Sequence, residues 1–450
     1  MSAPRGQWSS SIGFILAAAG SAIGLGNIWR FPYVTGENGG AAFVLIYLVC
    51  VFVIGLPYLL GELALGRHSQ KNPIGAIEAI KGKSSWRLVG LLGIVTGFAI
   101  LSYYAVIAGW TFGYIFKMLL NIDVSFVDYI KQPGLNIFLT LLFIMFTILV
   151  VIGGVQGGIE RWSKILMPVL LVLMIVLIIR SITLDGAMKG LEFYLYPEFS
   201  KITGKVILEA MGQAFFSLSL GMGLMVTYGS YLPKRENLLK AGFWVAVFDT
   251  AIAIMAGLII FPAIFAAGGK PDAGPALVFI ALPTIFAQMP FGHIIGATFF
   301  LLLSIAALTS TISLLEVPVA YLVDEKKIAR KIAVWLVGGV TFLVAIPSAL
   351  SQGAVEGLSN LNIMGQQAFL DLMDFIWGNL SLSIGALVLS IFIGYIWKTK
   401  NAINEIAHGF ELFTKPLIGP VSMASVWSFL VRFVVPVFIF IILLNIFNIF

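Results

Sequence analysis

The sequence has little charge and almost no cysteine or histidine. Charged residues fill 11% of its 450 positions, Cys50 is the single cysteine, and no two of the three histidines have metal-ligand spacing. A soluble domain usually carries about 25% charged residues, so a soluble fold is excluded. A disulfide framework and a Cys/His metal site are excluded as well. The net charge of +6 lies mostly beside apolar runs and does not indicate nucleic-acid binding.

Long apolar runs fill most of the chain, and 60% of all residues are hydrophobic. A helix that crosses a bilayer needs about 20 apolar residues. The pattern therefore predicts an all-α polytopic membrane protein in which residues 1–450 form one transmembrane domain. The predicted spans, numbered 1 to 11 in chain order, are 10–36, 41–67, 88–122, 135–153, 162–184, 204–231, 239–267, 291–323, 330–350, 364–397 and 426–449.

The lysines and arginines in the loops predict the orientation. With the N-terminus in the cytoplasm, 18 of them fall on the cytoplasmic side and 6 on the outside, four of these around residues 180–205. An odd number of spans then places the C-terminus outside. We expect a multi-pass protein of the plasma (inner) membrane.

Two stretches between the spans predict shorter helices. Residues 73–83 predict a cytoplasmic surface helix. Residues 268–290 are apolar but contain four prolines, which makes this stretch too broken to span. It predicts short helices at the outer face, which form either a lid or a connector that rests on lipid headgroups.

Span 1 and span 6 both contain glycines that disfavour a continuous helix. Gly20, Gly24 and Gly26 crowd seven positions of span 1, and Gly221 and Gly223 lie close together in span 6. Glycine inside a helix costs roughly 1 kcal/mol relative to alanine. Secondary transporters often consist of two inverted repeats whose discontinuous helices meet at the bilayer midplane. The two breaks, five spans apart, therefore predict a binding site, although close helix packing through small residues is the alternative.

Several polar side chains fall within the predicted spans. Asp249 lies within span 7, where a charge costs at least about 2.5–3.5 kcal/mol, so it predicts a functional site. Thr309 and Ser310 in span 8 carry the oxygen type that coordinates a hard monovalent cation. Their alternative role is to satisfy backbone groups of their own helix. Glu62 near the end of span 2 predicts either a carboxylate that reaches the membrane surface or a partner for freed backbone amides.

Charges of opposite sign at the same depth predict two pairs, although Arg30 and Asp374 could each be a charge that flanks a loop. Arg30 and Asp374 lie near the outer ends of spans 1 and 10, and Arg5 and Asp324 lie on the inner side. Pro168 near the start of span 5 removes a helix hydrogen bond. It predicts either a static kink or a segment that unwinds on the cytoplasmic side.

The motifs of these segments together resemble the neurotransmitter:sodium symporters. They read AGSAIGLGNIWRFP, ENGG, GELALGR, YYAVIAGW, FFSLSLGMG and LTSTISLLE, and the resemblance extends through all eleven spans. It is greatest to bacterial members that take several hydrophobic amino acids. The resemblance implies two inverted five-helix repeats, at about 10–184 and 204–397, and an extra helix at 426–449. It also implies a sodium-coupled importer that works by alternating access, and not an enzyme. A sensor or a channel-like protein on the same fold is the alternative.

The resemblance also implies roles for particular residues. Sodium site 1 would consist of Ala22, Asn27, Ser217 and Asp249. Sodium site 2 would consist of Gly20, Ile23, Ala306, Thr309 and Ser310. The substrate would contact Ala22, Leu25, Gly26, Ile100, Tyr104, Phe216, Ser217, Ser219, Met222, Ser310 and Leu314. Arg30 with Asp374 would form the outer gate and Arg5 with Asp324 the inner gate, and Glu62 would hold the unwound backbone.

Four positions refine this expectation. Gly24 replaces the aspartate of amine-transporting relatives, which leaves space for a substrate that brings its own carboxylate. Asp249 and Ala253 replace the asparagine and serine of chloride-dependent relatives, so a fixed carboxylate supplies the negative charge and we expect no chloride requirement. Met222 is unbranched and adaptable, and it predicts a size-tolerant apolar pocket. We therefore expect two sodium ions and a hydrophobic L-amino acid as the ligands.

Overall fold

The structure is a computed structural model, and it describes residues 6–271 and 277–447. Within them, spans 2–5 and 7–11 are long apolar helices. They run over Ala41–Ser69, Arg87–Leu119, Pro133–Val151, Val155–Ile182, Leu238–Ala266, Gly292–Asp324, Arg330–Leu350, Phe369–Ile396 and Met423–Ile446. Span 1 is split into Ser11–Ala22 and Gly26–Glu37, whose axes meet at 54°. Span 6 is split into Gly204–Ser217 and Leu224–Gly229. The prediction of an all-α polytopic membrane protein is confirmed.

Shorter elements connect the spans. The helices are Pro73–Lys81, Phe126–Ile130, Ala187–Leu195, Leu277–Ala287, Glu356–Ser359 and Thr399–Ala407, with 3₁₀ turns at Phe199–Lys201 and Glu411–Thr414. The strands Pro416–Ile418 and Val421–Ser422 pair antiparallel, with Ile418 opposite Val421. Asn72 begins the helix Pro73–Lys81, because its side chain accepts from the amides of Ile74 and Gly75. This helix occupies the predicted stretch 73–83.

The segment after span 7 packs into the protein. The Phe279 ring is buried and meets Trp29 of span 1 edge-on at 5.7 Å and Tyr114 of span 3 at 5.3 Å. The backbone of Pro271 lies against Gly36 at the outer end of span 1. These contacts favour a cover over spans 1 and 3 rather than a connector that rests on lipid. Pro275, one of the four prolines, lies outside the described residues.

Burial separates the central spans from the peripheral ones. Spans 3 and 8 pack along each other, and 78% of the most apolar window of each is buried. The corresponding fractions for spans 5 and 11 are 28% and 22%, so these two helices face lipid. The polar residues of the candidate site therefore lie in the interior, which spans 1, 3, 6 and 8 line.

The break in span 6 follows from backbone conformation. Ser219, Gly221 and Gly223 have φ angles of 54°, 83° and 74°, a left-handed region in which a helix cannot continue. A Cβ on Gly221 would lie 2.9 Å from the carbonyl oxygen of Leu382 in span 10. Glycine is therefore required there both for conformation and for the close approach of span 10.

Candidate substrate and sodium site

The break in span 1 exposes backbone groups to side chains from other spans. The amide of Leu25 donates to the Tyr104 hydroxyl at 3.0 Å, and the amide of Gly24 donates to Asn27 Oδ1 at 3.1 Å. The Ile23 carbonyl accepts from the Ser310 hydroxyl at 3.2 Å. Protein side chains thus form the hydrogen bonds that the backbone groups at the break need and that lipid could not provide.

Asp249 is completely buried and lies at the centre of the first predicted ion site. Its Oδ2 accepts from the Ser217 hydroxyl at 2.7 Å, and its Oδ1 accepts from Asn27 Nδ2 at 2.7 Å. The Tyr47 hydroxyl donates to Ser217 at 3.2 Å. Ala22 ends the first half of span 1 and is buried. No basic side chain among the described residues forms an ion pair with Asp249, so its charge suits a cation.

The orientation of Asn27 differs from the predicted ligand role. Its amide nitrogen faces Asp249 and Ser217, and its amide oxygen faces the Gly24 amide. The side-chain amide has to turn over for its oxygen to reach a cation beside Asp249. The role of Asn27 as a sodium ligand stays a prediction.

The second predicted ion site brings backbone and hydroxyl oxygens together. The Thr309 hydroxyl donates to the Ala306 carbonyl at 2.9 Å and lies 3.4 Å from the Ile23 carbonyl. The Ser310 hydroxyl lies 3.4 Å from the same Ala306 oxygen. A Cβ on Gly20 would contact the Thr309 side chain at 3.4 Å. Oxygen atoms are the ligands that hard cations prefer. Each hydroxyl also lies within hydrogen-bond distance of a backbone carbonyl of its own helix, which is the alternative role.

Gly24 has no space for a side chain. A Cβ there would lie 2.5 Å from the Ser310 hydroxyl and 2.7 Å from the Tyr104 hydroxyl. These distances are below any real Cβ contact, so an aspartate requires the neighbours to move. The Gly24 position therefore cannot supply a carboxylate to a bound amine in this arrangement.

The residues of the predicted side-chain pocket are buried between spans 3, 6 and 8. Ile100, Met222 and Leu314 are each at most 5% exposed. The Ser219 hydroxyl donates to the carbonyl of Ser21 at 3.0 Å in the neighbouring span 1. A Cβ on Gly97 would lie 3.3 Å from the Met222 carbonyl oxygen and 3.9 Å from Leu314. Gly97 therefore brings span 3 against the break in span 6 and limits the size of this pocket.

A cavity of about 230 Å³ lies beside the breaks, and predicted substrate and gate residues both line it. The lining residues are Leu25, Gly26, Trp29, Arg30, Tyr33, Tyr103, Tyr104, Ile107, Phe216, Leu370, Asp371, Asp374 and Asn379. The Arg30 guanidinium lies over the Phe216 ring at 5.1 Å and donates to Gln213 at 3.2 Å. Asn379 donates to Asp374 at 3.3 Å. Arg30 and Asp374 form no ion pair with each other, so the cavity continues between them.

The opposite end of span 1 is tightly held. The Trp8 indole is buried and donates to the Tyr228 carbonyl at 3.0 Å. Ser9 donates to the Glu160 carboxylate through its amide at 2.8 Å and its hydroxyl at 2.5 Å. Asp324 accepts from the Asn72 amide at 3.1 Å. Arg5, its predicted partner in the inner gate, lies outside the described residues.

Glu62 reaches the unwound part of span 6. It is fully buried, and its Oε1 accepts from the Gly221 amide at 2.9 Å. Gly221 has a left-handed backbone conformation, so its amide does not take part in the regular hydrogen bonds of a helix. Of the two roles considered for Glu62, this contact favours the backbone partner over the surface carboxylate.

Comparison with known proteins identifies this arrangement. The model of the sodium:neurotransmitter symporter family matches residues 5–125 and 117–449. The chain belongs to this family. Symporters of this family are transporters, so the chain is a sodium-coupled membrane transporter and not an enzyme.

Bacterial relatives of this symporter cover nearly its whole length. YhdH of Bacillus subtilis, described as an uncharacterized sodium-dependent transporter, is 41% identical over 98% of both chains. An uncharacterized sodium-dependent transporter of Haemophilus influenzae is 37% identical over 98% of both. The crystal structure of MhsT in complex with L-phenylalanine is 44% identical, with a TM-score of 0.87, and covers 98% of this chain and 100% of MhsT.

The structure of this symporter adds residues that the sequence motifs did not reveal. Gly97 was missed, although Gly90, Gly93 and Gly97 recur at helical spacing and indicate one close-packed face. Asp371 lies one helical turn before Asp374 and also lines the cavity. Glu160 was missed because its partners, Ser9 and Ser10, are about 150 positions away in the sequence.

Proposed function

We propose that this symporter imports hydrophobic L-amino acids, coupled to two sodium ions and without chloride, by alternating access. The observation that carries the proposal is the absence of side-chain space at Gly24, between Ser310 and Tyr104. The protein therefore has no carboxylate at this position to bind an amine, and the substrate has to bring its own carboxylate. MhsT, whose structure contains L-phenylalanine, is consistent with this class.

The substrate carboxylate is proposed to bind at the start of the second half of span 1. The amides of Leu25 and Gly26 lie at the positive end of that helix, which favours an anion. The Tyr104 hydroxyl, now 3.0 Å from the Leu25 amide, would turn toward the carboxylate. Carbonyls near Ala22, Phe216 and Ser217 would receive the ammonium group, with Ser219 nearby.

Sodium is proposed to bind at two sets of oxygen atoms. The first set belongs to Ala22, Asn27, Ser217 and Asp249, together with the substrate carboxylate. The second belongs to Gly20, Ile23, Ala306, Thr309 and Ser310. A carboxylate shared between substrate and ion makes each bind more tightly in the presence of the other, with the same coupling free energy in both directions. Symport follows without covalent chemistry.

Alternating access is proposed to use the two ends of span 1. The outer cavity passes between Arg30 and Asp374, whose pairing over the substrate would close it. The inner end, held by Trp8 and Ser9, would then open. With the N-terminus in the cytoplasm, this sequence moves substrate into the cell.

Concentrative uptake in proteoliposomes tests the proposal. We expect labelled L-leucine to accumulate above its external concentration with an inward sodium gradient, equally in chloride and in gluconate. Unlabelled phenylalanine and tryptophan should compete, and glutamate and lysine should not. A channel cannot concentrate leucine and a sensor need not move it, so equilibration without accumulation, or no uptake, would contradict the proposal.

A further inference from the structure

Arg432 is a charged residue inside span 11, well away from the substrate site. It follows Met423, where the helix begins, by nine residues, which is about 14 Å along the axis. The bilayer core is about 30 Å thick, so its Cα lies within the hydrocarbon layer. A guanidinium at this depth requires a partner.

The described residues provide Arg432 with aromatic rings but no acceptor. Its guanidinium lies 5.2 Å from the centre of the Tyr395 ring and 5.7 Å from that of Phe433. Its Nε is buried without a hydrogen-bond partner. The Tyr395 hydroxyl donates to the Arg432 backbone carbonyl at 2.7 Å, which does not satisfy the guanidinium. No carboxylate of the described chain forms an ion pair with this group.

The direction of the side chain brings it close to the membrane surface. Side chains on a helix tilt toward its N-terminus, which for span 11 is the face where span 10 ends. Tyr395 lies one residue before Ile396, the last residue of span 10. The guanidinium therefore points toward the headgroup layer of the leaflet that contacts the span 10–11 connection, as long basic side chains commonly do.

The surroundings combine exposed aromatic surface with positive charge. Tyr395, Phe429 and Phe433 are 42%, 57% and 51% exposed on the lipid-facing side. Lys398 and Lys400 follow Tyr395, are exposed, and form no ion pair with a described acidic residue. A phosphate that accepts two parallel hydrogen bonds matches the planar guanidinium. The positive charge disfavours the ammonium group of a zwitterionic lipid.

We propose that Arg432 binds the phosphate group of an anionic membrane lipid, whose acyl chain lies against the exposed rings of Tyr395 and Phe433. The lipid supplies the acceptor that the described residues do not. The site lies in the leaflet at the span 10–11 connection, which is the cytoplasmic leaflet in the orientation proposed above. A free phosphate ion shares the headgroup chemistry but cannot use the apolar rings.

Native mass spectrometry of the purified, delipidated full-length protein tests this proposal. The probes are phosphatidylglycerol, phosphatidylcholine and inorganic phosphate. We expect phosphatidylglycerol to bind more tightly than phosphatidylcholine, and Arg432→Gln to weaken it by about tenfold. Arg432→Lys keeps the positive charge but not the planar guanidinium, so it should weaken phosphatidylglycerol binding less than Arg432→Gln does. Lys83→Gln, which removes an exposed charge elsewhere, should bind as the wild type does.

Three results would overturn the proposal. They are unchanged phosphatidylglycerol binding by Arg432→Gln, equal binding of the two lipids, and displacement of phosphatidylglycerol by millimolar inorganic phosphate. Size-exclusion chromatography checks that each variant is folded. If Arg432→Gln does not fold, Tyr395→Leu keeps the guanidinium but removes one ring, and it should still weaken phosphatidylglycerol binding severalfold. No weakening in that variant would contradict the site equally.

Discussion

Gly24 and Asp249 are the two residues on which the proposed substrate and ion dependence rest. Gly24 leaves no room for a side chain between Ser310 and Tyr104. Asp249 is a buried carboxylate whose described partners are hydroxyl and amide groups. Gly24 supplies no carboxylate of its own, so we propose that the substrate brings one, and Asp249 provides a fixed negative charge for a cation.

A single methyl group at Gly24 should impair transport. Gly24→Ala places a Cβ where the Ser310 and Tyr104 hydroxyls now lie, and we expect leucine uptake to fall by at least about tenfold, since a misplacement near 1 Å can cost far more. Gly212→Ala is the matched control, because its Cβ in span 6 would meet no atom within 4 Å. Equal uptake by the two folded variants would refute the role of Gly24.

Neutralising Asp249 should create a need for chloride. Asp249→Asn removes the fixed charge, while the Ser217 hydroxyl that donates to Asp249 and the Tyr47 hydroxyl that contacts Ser217 remain. We expect uptake in gluconate to fall by about tenfold or more, because a buried cation loses its counter-charge, and chloride to restore part of it. Uptake by the variant that is equally low, or equally high, in gluconate and in chloride would contradict the idea that the Asp249 carboxylate takes the place of chloride.

The broken helices are the elements that depend most on outside support. Span 6 departs from helical conformation between Ser217 and Leu224, so its amides need partners from other spans. Span 2 supplies one through Glu62, and span 10 approaches Gly221 closely.

Removing the Glu62 carboxylate should destabilise the break in span 6. Glu62→Ala leaves the buried Gly221 amide without its acceptor, which costs about 1–3 kcal/mol. Glu62→Gln keeps an acceptor oxygen, so it should lose much less stability than Glu62→Ala. Thermal unfolding midpoints of the two variants in detergent measure the difference. Equal midpoints would show that Glu62 does not support the backbone.

The surface helix Thr399–Ala407 is docked by one buried carboxylate, Glu405. Arg67 Nε donates to it at 2.8 Å and Lys234 Nζ at 3.0 Å. Burial alone would raise the pKa of Glu405, but the hydrogen bonds and charges of Arg67 and Lys234 outweigh it and lower the pKa. A lowered pKa in the folded state means that ionised Glu405 stabilises the fold above its unfolded pKa of about 4.3. This stability is lost as the pH falls through the lowered value.

The pH dependence of Glu405→Gln should show this contribution. We expect the variant to have a lower unfolding midpoint than the wild type at pH 7, and the gap to shrink at about pH 3.5 as the wild-type carboxylate becomes protonated. Glu411→Gln, at an exposed position nearby, should change little at either pH. A gap that is constant with pH would mean that packing, and not charge, holds the helix.

Across the whole molecule, the spans were predictable because the bilayer demands long apolar helices with few charges. Span 5 begins at Val155 rather than near 162, because its Gly-rich start forms a π-helical turn, Val155–Glu160, that glycine propensity disfavours. The breaks were predictable because glycines crowd them.

Details of the site that depend on tertiary contacts were not predictable. Sequence spacing could not show that Gly97 faces Met222 or that Glu160 accepts from Ser9 and Ser10, since such contacts join distant positions. The opposite charges of Arg30 and Asp374 predicted an ion pair, but in the structure both residues line a cavity without pairing. Their pairing over a bound substrate stays a prediction.

Binding of labelled L-leucine to the purified protein, titrated in sodium and in potassium, tests the central claim most directly. That claim is that the leucine carboxylate and sodium meet at the break of span 1. We expect sodium to tighten leucine binding by about tenfold or more, and leucine to tighten sodium binding by the same factor. L-leucinamide, which lacks the carboxylate, should gain little from sodium. Leucine affinity that is equal in the two salts would contradict the account.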